Sequence, residues 1–159
     1  MALAVRPFFD TSVLLAGLVD VGPASASAQQ AMDAVAEGRI EGPCTAWHCC
    51  LEFYAVATRL PPEFRLQPAD ALRLLETEIL ARFDVQQLPA GACDEFLRAA
   101  ARDGSAGGAI YDAHIAEVAY RSGAQTLVTD NRRHFTSLLR HGVRVLTTGE
   151  FVEELRRRR

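Results

Sequence analysis

The stretch Ala4-Val5-Arg6-Pro7-Phe8-Phe9-Asp10-Thr11-Ser12-Val13-Leu14-Leu15-Ala16-Gly17-Leu18 decides the fold. An apolar run of strand length, residues 4–9, ends on a carboxylate and two hydroxyls, and a helical segment, 11–18, follows at once. A strand that hands over so abruptly to a helix opens an α/β unit. In such sheets chemistry gathers at the carboxyl ends of the strands, where Asp10 stands. Aspartate is also a favoured helix N-cap, so taken alone Asp10 has a purely structural reading as well.

Outward from that stretch the alternation continues. A turn at Asp20-Val21-Gly22-Pro23 precedes a helix that Ser25 or Ser27 can cap, running through Val35 towards Gly38. Residues 39–45 read as a short second strand, restricted by Pro43. Residues 46–60 read as a helix stopped by Pro61-Pro62. Residues 68–82 read as another, with Pro68 in its first turn and Leu72, Leu75 and Ile79 as its apolar stripe. A third strand is expected at 83–88, a helix at 90–102, a glycine-rich loop at 103–108, and a helix at 109–121 closed by Gly123. Strands at 125–129 and 143–146 and a polar helix from Gly149 complete the chain. The expected fold is α/β: a single domain over 1–159, with a central parallel sheet of four to five strands and helices on both faces. The basic run Arg156-Arg157-Arg158-Arg159 is expected to be a flexible tail.

A chain of 159 residues, 49% of them apolar, has enough material for one core. Its net charge of −3 supplies no basic stripe of the kind that marks a nucleic-acid binder by charge alone. Arginine carries all the positive side-chain charge, because the sequence has no lysine. No apolar run approaches the ~18 residues of a membrane helix, and Arg6 and Pro7 interrupt the early one, so neither membrane span nor signal peptide is expected. Cys44, Cys49, Cys50 and Cys93 fit neither zinc-ribbon nor disulfide-scaffold spacing. Cys49-Cys50 reads as a pair of core-facing thiols, and the implied compartment is a reducing cytoplasm.

Three later segments also place acids among apolar neighbours. Glu52 lies beside the helical stripe of Cys49, Phe53, Val56 and Leu60. Asp112 lines up with Ile115, Ala116 and Ala119 behind a double glycine, and Asp130-Asn131 follows the strand Thr126-Leu127-Val128-Thr129. Each has an individual structural reading: an edge residue whose stem packs, a first-turn acid complementing the helix dipole, an Asx turn. Together they converge on one sheet edge. Carboxylates ~5 Å apart repel by roughly 3 kcal/mol per pair at an effective dielectric of ~20, so all stay ionised only around a positive charge. An oxygen-only set suits a hard cation, Mg²⁺ with Mn²⁺ as a substitute, and the matching chemistry is metal-assisted hydrolysis of phosphodiesters.

The ordered set Phe9-Asp10-Thr11-Ser12, Leu51-Glu52-Phe53-Tyr54, Gly108-Ala109-Ile110-Tyr111-Asp112-Ala113-His114-Ile115-Ala116 and Leu127-Val128-Thr129-Asp130-Asn131-Arg132-Arg133-His134-Phe135 resembles the PIN-domain ribonucleases, specifically VapC-type toxins of toxin–antitoxin pairs. The resemblance covers nearly the whole chain. It implies a three-layer PIN-like fold and a Mg²⁺-dependent endoribonuclease of the cytoplasm that cleaves RNA, is neutralised by a VapB-type antitoxin, and forms a homodimer. It implies Asp10, Glu52 and Asp112 as metal ligands and catalytic acids. The fourth position departs from an all-acid set: the family commonly has Thr-x-Asp or Thr-x-Asn, so Asn131 takes the slot and Asp130, the fourth catalytic candidate, stands beside it. Ser12 and Thr129 are candidate orienters of the acids. Arg132 and Arg133, with His134, are candidate phosphate contacts, with a solvated turn as the alternative. His114 points to a different helical face from Asp112 and is not expected to ligate. Trp47, Phe53 and Tyr54 are candidates for a hydrophobic antitoxin groove, with core packing the simpler account of Phe53.

Two other phosphate chemistries fail on the residues. A haloacid-dehalogenase phosphatase needs a second Asp where Ser12 stands, and a response-regulator receiver needs a lysine. A catalytically degenerate PIN-like module that binds RNA or protein remains the alternative, and the Asn131 departure is what sustains it.

Overall fold

The computed structural model describes residues 6–158; residues 4 and 5 of the expected first strand lie outside it. Five short strands, β1 (Pro7–Phe9), β2 (Cys44–Ala46), β3 (Asp84–Gln86), β4 (Thr126–Val128) and β5 (Arg144–Leu146), form one parallel sheet in the order β3-β2-β1-β4-β5. Around it lie α1 (Thr11–Leu18), α2 (Ala26–Ala36), α3 (Trp47–Ala57), α4 (Pro68–Leu74), α5 (Ala90–Arg102), α6 (Ala109–Arg121) and α7 (Thr148–Arg157). The chain moves from β1 to β2 and β3 on one side, then places β4 and β5 on the other. The strand order therefore reverses between β1 and β4, and the crevice at their carboxyl ends is where such sheets bind ligands.

The central strand has the residues its position requires. Phe8 and Phe9 point to opposite faces and both are wholly buried, as a strand covered on both sides demands. Phe9 meets Phe83 and Phe151 edge to face, at centroid distances of 5.4 and 5.6 Å. This packing holds the carboxyl end of β1, and with it Asp10, in a fixed place. Behind it α1 crosses α2 so closely that a Cβ on Gly17 would fall 2.3 Å from Met32 Cγ and 2.9 Å from the Ala28 carbonyl oxygen.

Several element boundaries expected from the sequence are corrected. The second strand is Cys44–Ala46, not 39–45. Gly38 and Gly42 turn the chain at φ +69° and +58°, and Pro43 has no N–H for a ladder, so pairing begins only at Cys44. The helix expected over 68–82 changes character at Leu75, where Leu75–Leu80 widens into a π turn and Ala81 N–H donates to the Glu76 carbonyl at 3.2 Å. The segment after β4 is a 3₁₀ run, Arg132–His141. The last helix starts at Thr148, fixed by a capping box in which Thr147 and Glu150 exchange hydrogen bonds of 3.0 and 3.2 Å. It continues through Arg157, Arg156 donates to Gln30 and Glu153, and Arg158 is the C-cap; Arg159 of the expected tail lies outside the described residues. Cys44, Cys49 and Cys50 are buried free thiols, whereas Cys93 is exposed. Among the described residues no helix is long and apolar enough to cross a membrane.

Candidate active site

Asp10 caps α1, as the sequence allowed, and stands at the carboxyl end of β1. Its backbone N–H donates to the Val128 carbonyl at 3.1 Å, locking the end of β1 to β4. Its carboxylate is buried, 4% exposed, and caps α1 by accepting the Thr11 N–H at 2.7 Å on Oδ1. The other oxygen accepts the Ser12 hydroxyl at 3.0 Å and the Thr129 hydroxyl at 2.8 Å. Thr129 in turn accepts the Asn131 N–H at 3.0 Å, so one hydroxyl ties the acid of β1 to the loop after β4. Burial raises the Asp10 pKa, these hydrogen bonds oppose that rise, and the charge of Asp112 adds to it.

Glu52 sits in the middle of α3, with its Oε1 2.8 Å from Nε2 of His48 one turn earlier. The two atoms are buried and close but misaligned, and neither makes a hydrogen bond. Burial first, then the charges of Asp10 and Asp112, pushes the Glu52 carboxyl up to about 7. Asp112, in the first turn of α6, has Oδ2 3.0 Å from Nδ1 of His134. His48 stacks on Tyr111 at 5.3 Å and 14° and meets His114 edge-on at 5.4 Å, and His114 meets Phe96 at 5.5 Å. His114 is thus part of an aromatic row. Sequence reasoning missed His48, although its i,i+4 spacing from Glu52 was a legible signal. His134, read as a phosphate contact or part of a solvated turn, has Asp112 as its neighbour.

The other candidates are distributed less evenly. The Asp130 carboxylate accepts both the backbone N–H and the hydroxyl of Thr148, at 3.1 and 2.8 Å, so it is turned to the start of α7. Asn131 is exposed, and its backbone is held by Thr129. Arg132 is engaged by Glu150, while Arg133 is exposed and has no ion pair among the described residues. Phe53 is wholly buried and is withdrawn from the antitoxin groove. Trp47 and Tyr54 are 44% and 38% exposed and share a face of α3 with Leu51, 53% exposed.

Residues 6–133, which carry β1 through β4 and all three coupled acids, match the PIN domain family. The chain belongs to the PIN-domain family. Over 86 residues it is 42% identical to ribonuclease VapC27 of Mycobacterium tuberculosis, a match covering 54% of this chain and 60% of that protein's length. Two solved structures share the fold. One is PAE2754 of Pyrobaculum aerophilum (23% identity, TM-score 0.62, 98% of each chain covered). The other is VapBC2 of Rickettsia felis bound to a DNA fragment from its promoter (14% identity, TM-score 0.58, 89% of this chain and 98% of that one).

In this PIN domain the donor chemistry fits a hard divalent ion. Asp10, Glu52 and Asp112 offer only oxygen, and the charge of Asp112 raises the pKa of Asp10 while those of Asp10 and Asp112 raise that of Glu52. Among the described residues, however, no three acidic, histidine or cysteine side chains are gathered at ligating distances. Glu52 lies against His48, and Asp112 against His134.

Proposed function

We propose that the protein is a Mg²⁺-dependent endoribonuclease, the toxin of a VapBC-type pair. The observation that carries this reading is the buried Asp10 at the β1/β4 crevice of a PIN domain, with the charges of Asp10 and Asp112 both acting on Glu52. The likeness to ribonuclease VapC27 supports the nuclease assignment. Asp10, Glu52 and Asp112 would hold the ion, Mg²⁺ or Mn²⁺, which when bound would supply a more acidic water and charge stabilisation at a phosphate oxygen. Ser12 and Thr129 fix the rotamer of Asp10, so that its orientation need not be found at the moment of binding. The Thr129–Asn131 hydrogen bond holds Asn131 at the rim, where it can contact substrate without adding charge. Arg133, exposed beside the crevice, is the candidate phosphate contact; Arg132 would first have to leave Glu150. Asp130 serves α7 in this reading and not the ion.

The partner is a VapB-type antitoxin, whose amphipathic segment would cover the Trp47, Leu51 and Tyr54 face of α3. Support for it comes from the family resemblance and the likeness to VapBC2. Self-association into a homodimer belongs to the same proposal. The test is incubation of purified protein with labelled RNA in Mg²⁺, Mn²⁺ or chelator. Metal-dependent cleavage that Asp10→Asn and Asp112→Asn abolish supports the reading. Cleavage equal in wild type and both variants, or none with any metal, overturns it in favour of a binding module.

A further inference from the structure

Tyr111 immediately precedes Asp112, yet it is 56% exposed on the first turn of α6. A tyrosine so open normally costs little to replace, but this one is held from behind. His48 lies on it at 5.3 Å and 14°, an offset stack, and His114 and Phe96 extend the row inwards with edge contacts of 5.4 and 5.5 Å. The inner rings buttress the outer one, and each end of the stack sits beside an acid of the crevice. Tyr111 adjoins Asp112, and His48 lies one turn from Glu52. A π-face is therefore presented to solvent on the residue that precedes Asp112 in α6, backed by the His48 that lies 2.8 Å from Glu52.

The charges nearby make that face more significant. A nuclease usually holds its substrate by phosphate contacts, but this chain has a net charge of −3 and Arg132 is paired with Glu150. Stacking of unpaired bases on aromatic rings would add roughly 1–3 kcal/mol per base to the phosphate contact of Arg133. Only an unstacked base can use it, which selects single-stranded or looped RNA over regular duplex.

We infer that the Tyr111–His48 stack is a nucleobase platform that receives one unpaired base of RNA next to the cleaved bond. The inference rests on the ribonuclease reading. Its test uses short single-stranded RNAs carrying 2-aminopurine at successive positions around the cleavage point, whose fluorescence is quenched on stacking. Binding is followed in Ca²⁺ and turnover separately in Mg²⁺. The wild type and Tyr111→Phe are expected to quench the probe at one position. Tyr111→Leu, which keeps apolar bulk but has no π-face, is expected to lose that quench and to raise KM for RNA roughly 5-fold to 100-fold, with kcat little changed. Tyr111→Leu with the wild-type KM, or with the quench intact, overturns the platform. Cleavage by wild type with no quench at any position overturns it while leaving the nuclease standing. Failure of wild type to cleave any RNA overturns both. A change of oligomeric mass in Tyr111→Leu would assign the ring to a protein–protein contact instead, and that too overturns the platform.

Discussion

Replacing Glu52 by Gln should stabilise the metal-free protein, and the size of the gain follows from the crevice. The Glu52 carboxyl has an ordinary pKa of 4.5 that burial and the charges of Asp10 and Asp112 push up to about 7. That gap is worth about 3 kcal/mol in a fully enclosed site. The Glu52 side chain is 38% exposed, so solvent screening reduces it to about 1–2 kcal/mol. The raised folded-state value means that the native protein holds the Glu52 proton more tightly than the unfolded chain. Its contribution to stability is therefore present below pH ~4.5 and is lost as pH rises through about 7. At pH 8 in EDTA, Glu52→Gln should melt about 2–8 °C higher than wild type. At pH 5 the native Glu52 is already protonated, and most of that advantage should disappear. Mg²⁺ should invert the order at pH 8, because an ion that binds only the native state stabilises wild type and finds one ligand fewer in the variant. Thermal melts at both pH values, with EDTA and with Mg²⁺, read all three effects. Equal melting temperatures at pH 8 without metal, or a gain of the same size at pH 5 and pH 8, would refute the claim that burial and the neighbouring acids disfavour the Glu52 carboxylate.

Three other substitutions separate the roles of the surrounding residues. Thr129→Val removes the donor to Asp10 and the acceptor of the Asn131 N–H, which should cost about 1–3 kcal/mol in urea unfolding. Because that hydroxyl lowers the Asp10 pKa, the acid limb of the cleavage profile should also move to higher pH; an unmoved limb would contradict the role given to Thr129. Asp130→Ala should lower stability by about 1 kcal/mol through the loss of its bonds to Thr148, while cleavage is retained. Loss of cleavage at unchanged stability would instead return Asp130 to the reacting centre. Gly17→Ala pushes a methyl group into Met32 and the Ala28 carbonyl, and should lower the urea midpoint by an amount equivalent to about 1–3 kcal/mol. An unchanged midpoint would mean that α1 and α2 separate freely.

The sequence was most legible where one local pattern decides the structure. Phe8-Phe9-Asp10-Thr11 reads as strand, carboxylate and helix start because the hydrophobic run and the cap are contiguous, and β1 and α1 follow that reading. The parallel sheet was equally readable from the alternation of elements, and the structure adds the strand order that makes the β1/β4 crevice. Boundaries failed where tertiary geometry overrides propensity. Residues 39–43 have strand-like neighbours but spend their backbone on turns at Gly38 and Gly42. Residues 75–80 keep an unbroken helical stripe that cannot reveal a π turn. Asp130 and Asn131 were inseparable in sequence because the partner of Asp130, Thr148, lies 18 residues away on α7. His134 was similarly opaque, since its approach to Asp112 depends on how the 3₁₀ run packs on α6. His48 and Tyr111 were plain in the sequence as residues, but only the packing of α3 on α6 brings their rings together.

The central claim is that Asp10, Glu52 and Asp112 form one cation site, and a Mn²⁺ titration of the RNA-free protein followed by electron paramagnetic resonance tests it most directly. Wild type should deplete the free-ion signal saturably, Asp10→Asn and Asp112→Asn should each abolish or severely weaken that binding, and Asp130→Asn should leave it unchanged. Mn²⁺ binding that survives unaltered in Asp10→Asn and Asp112→Asn would contradict the account.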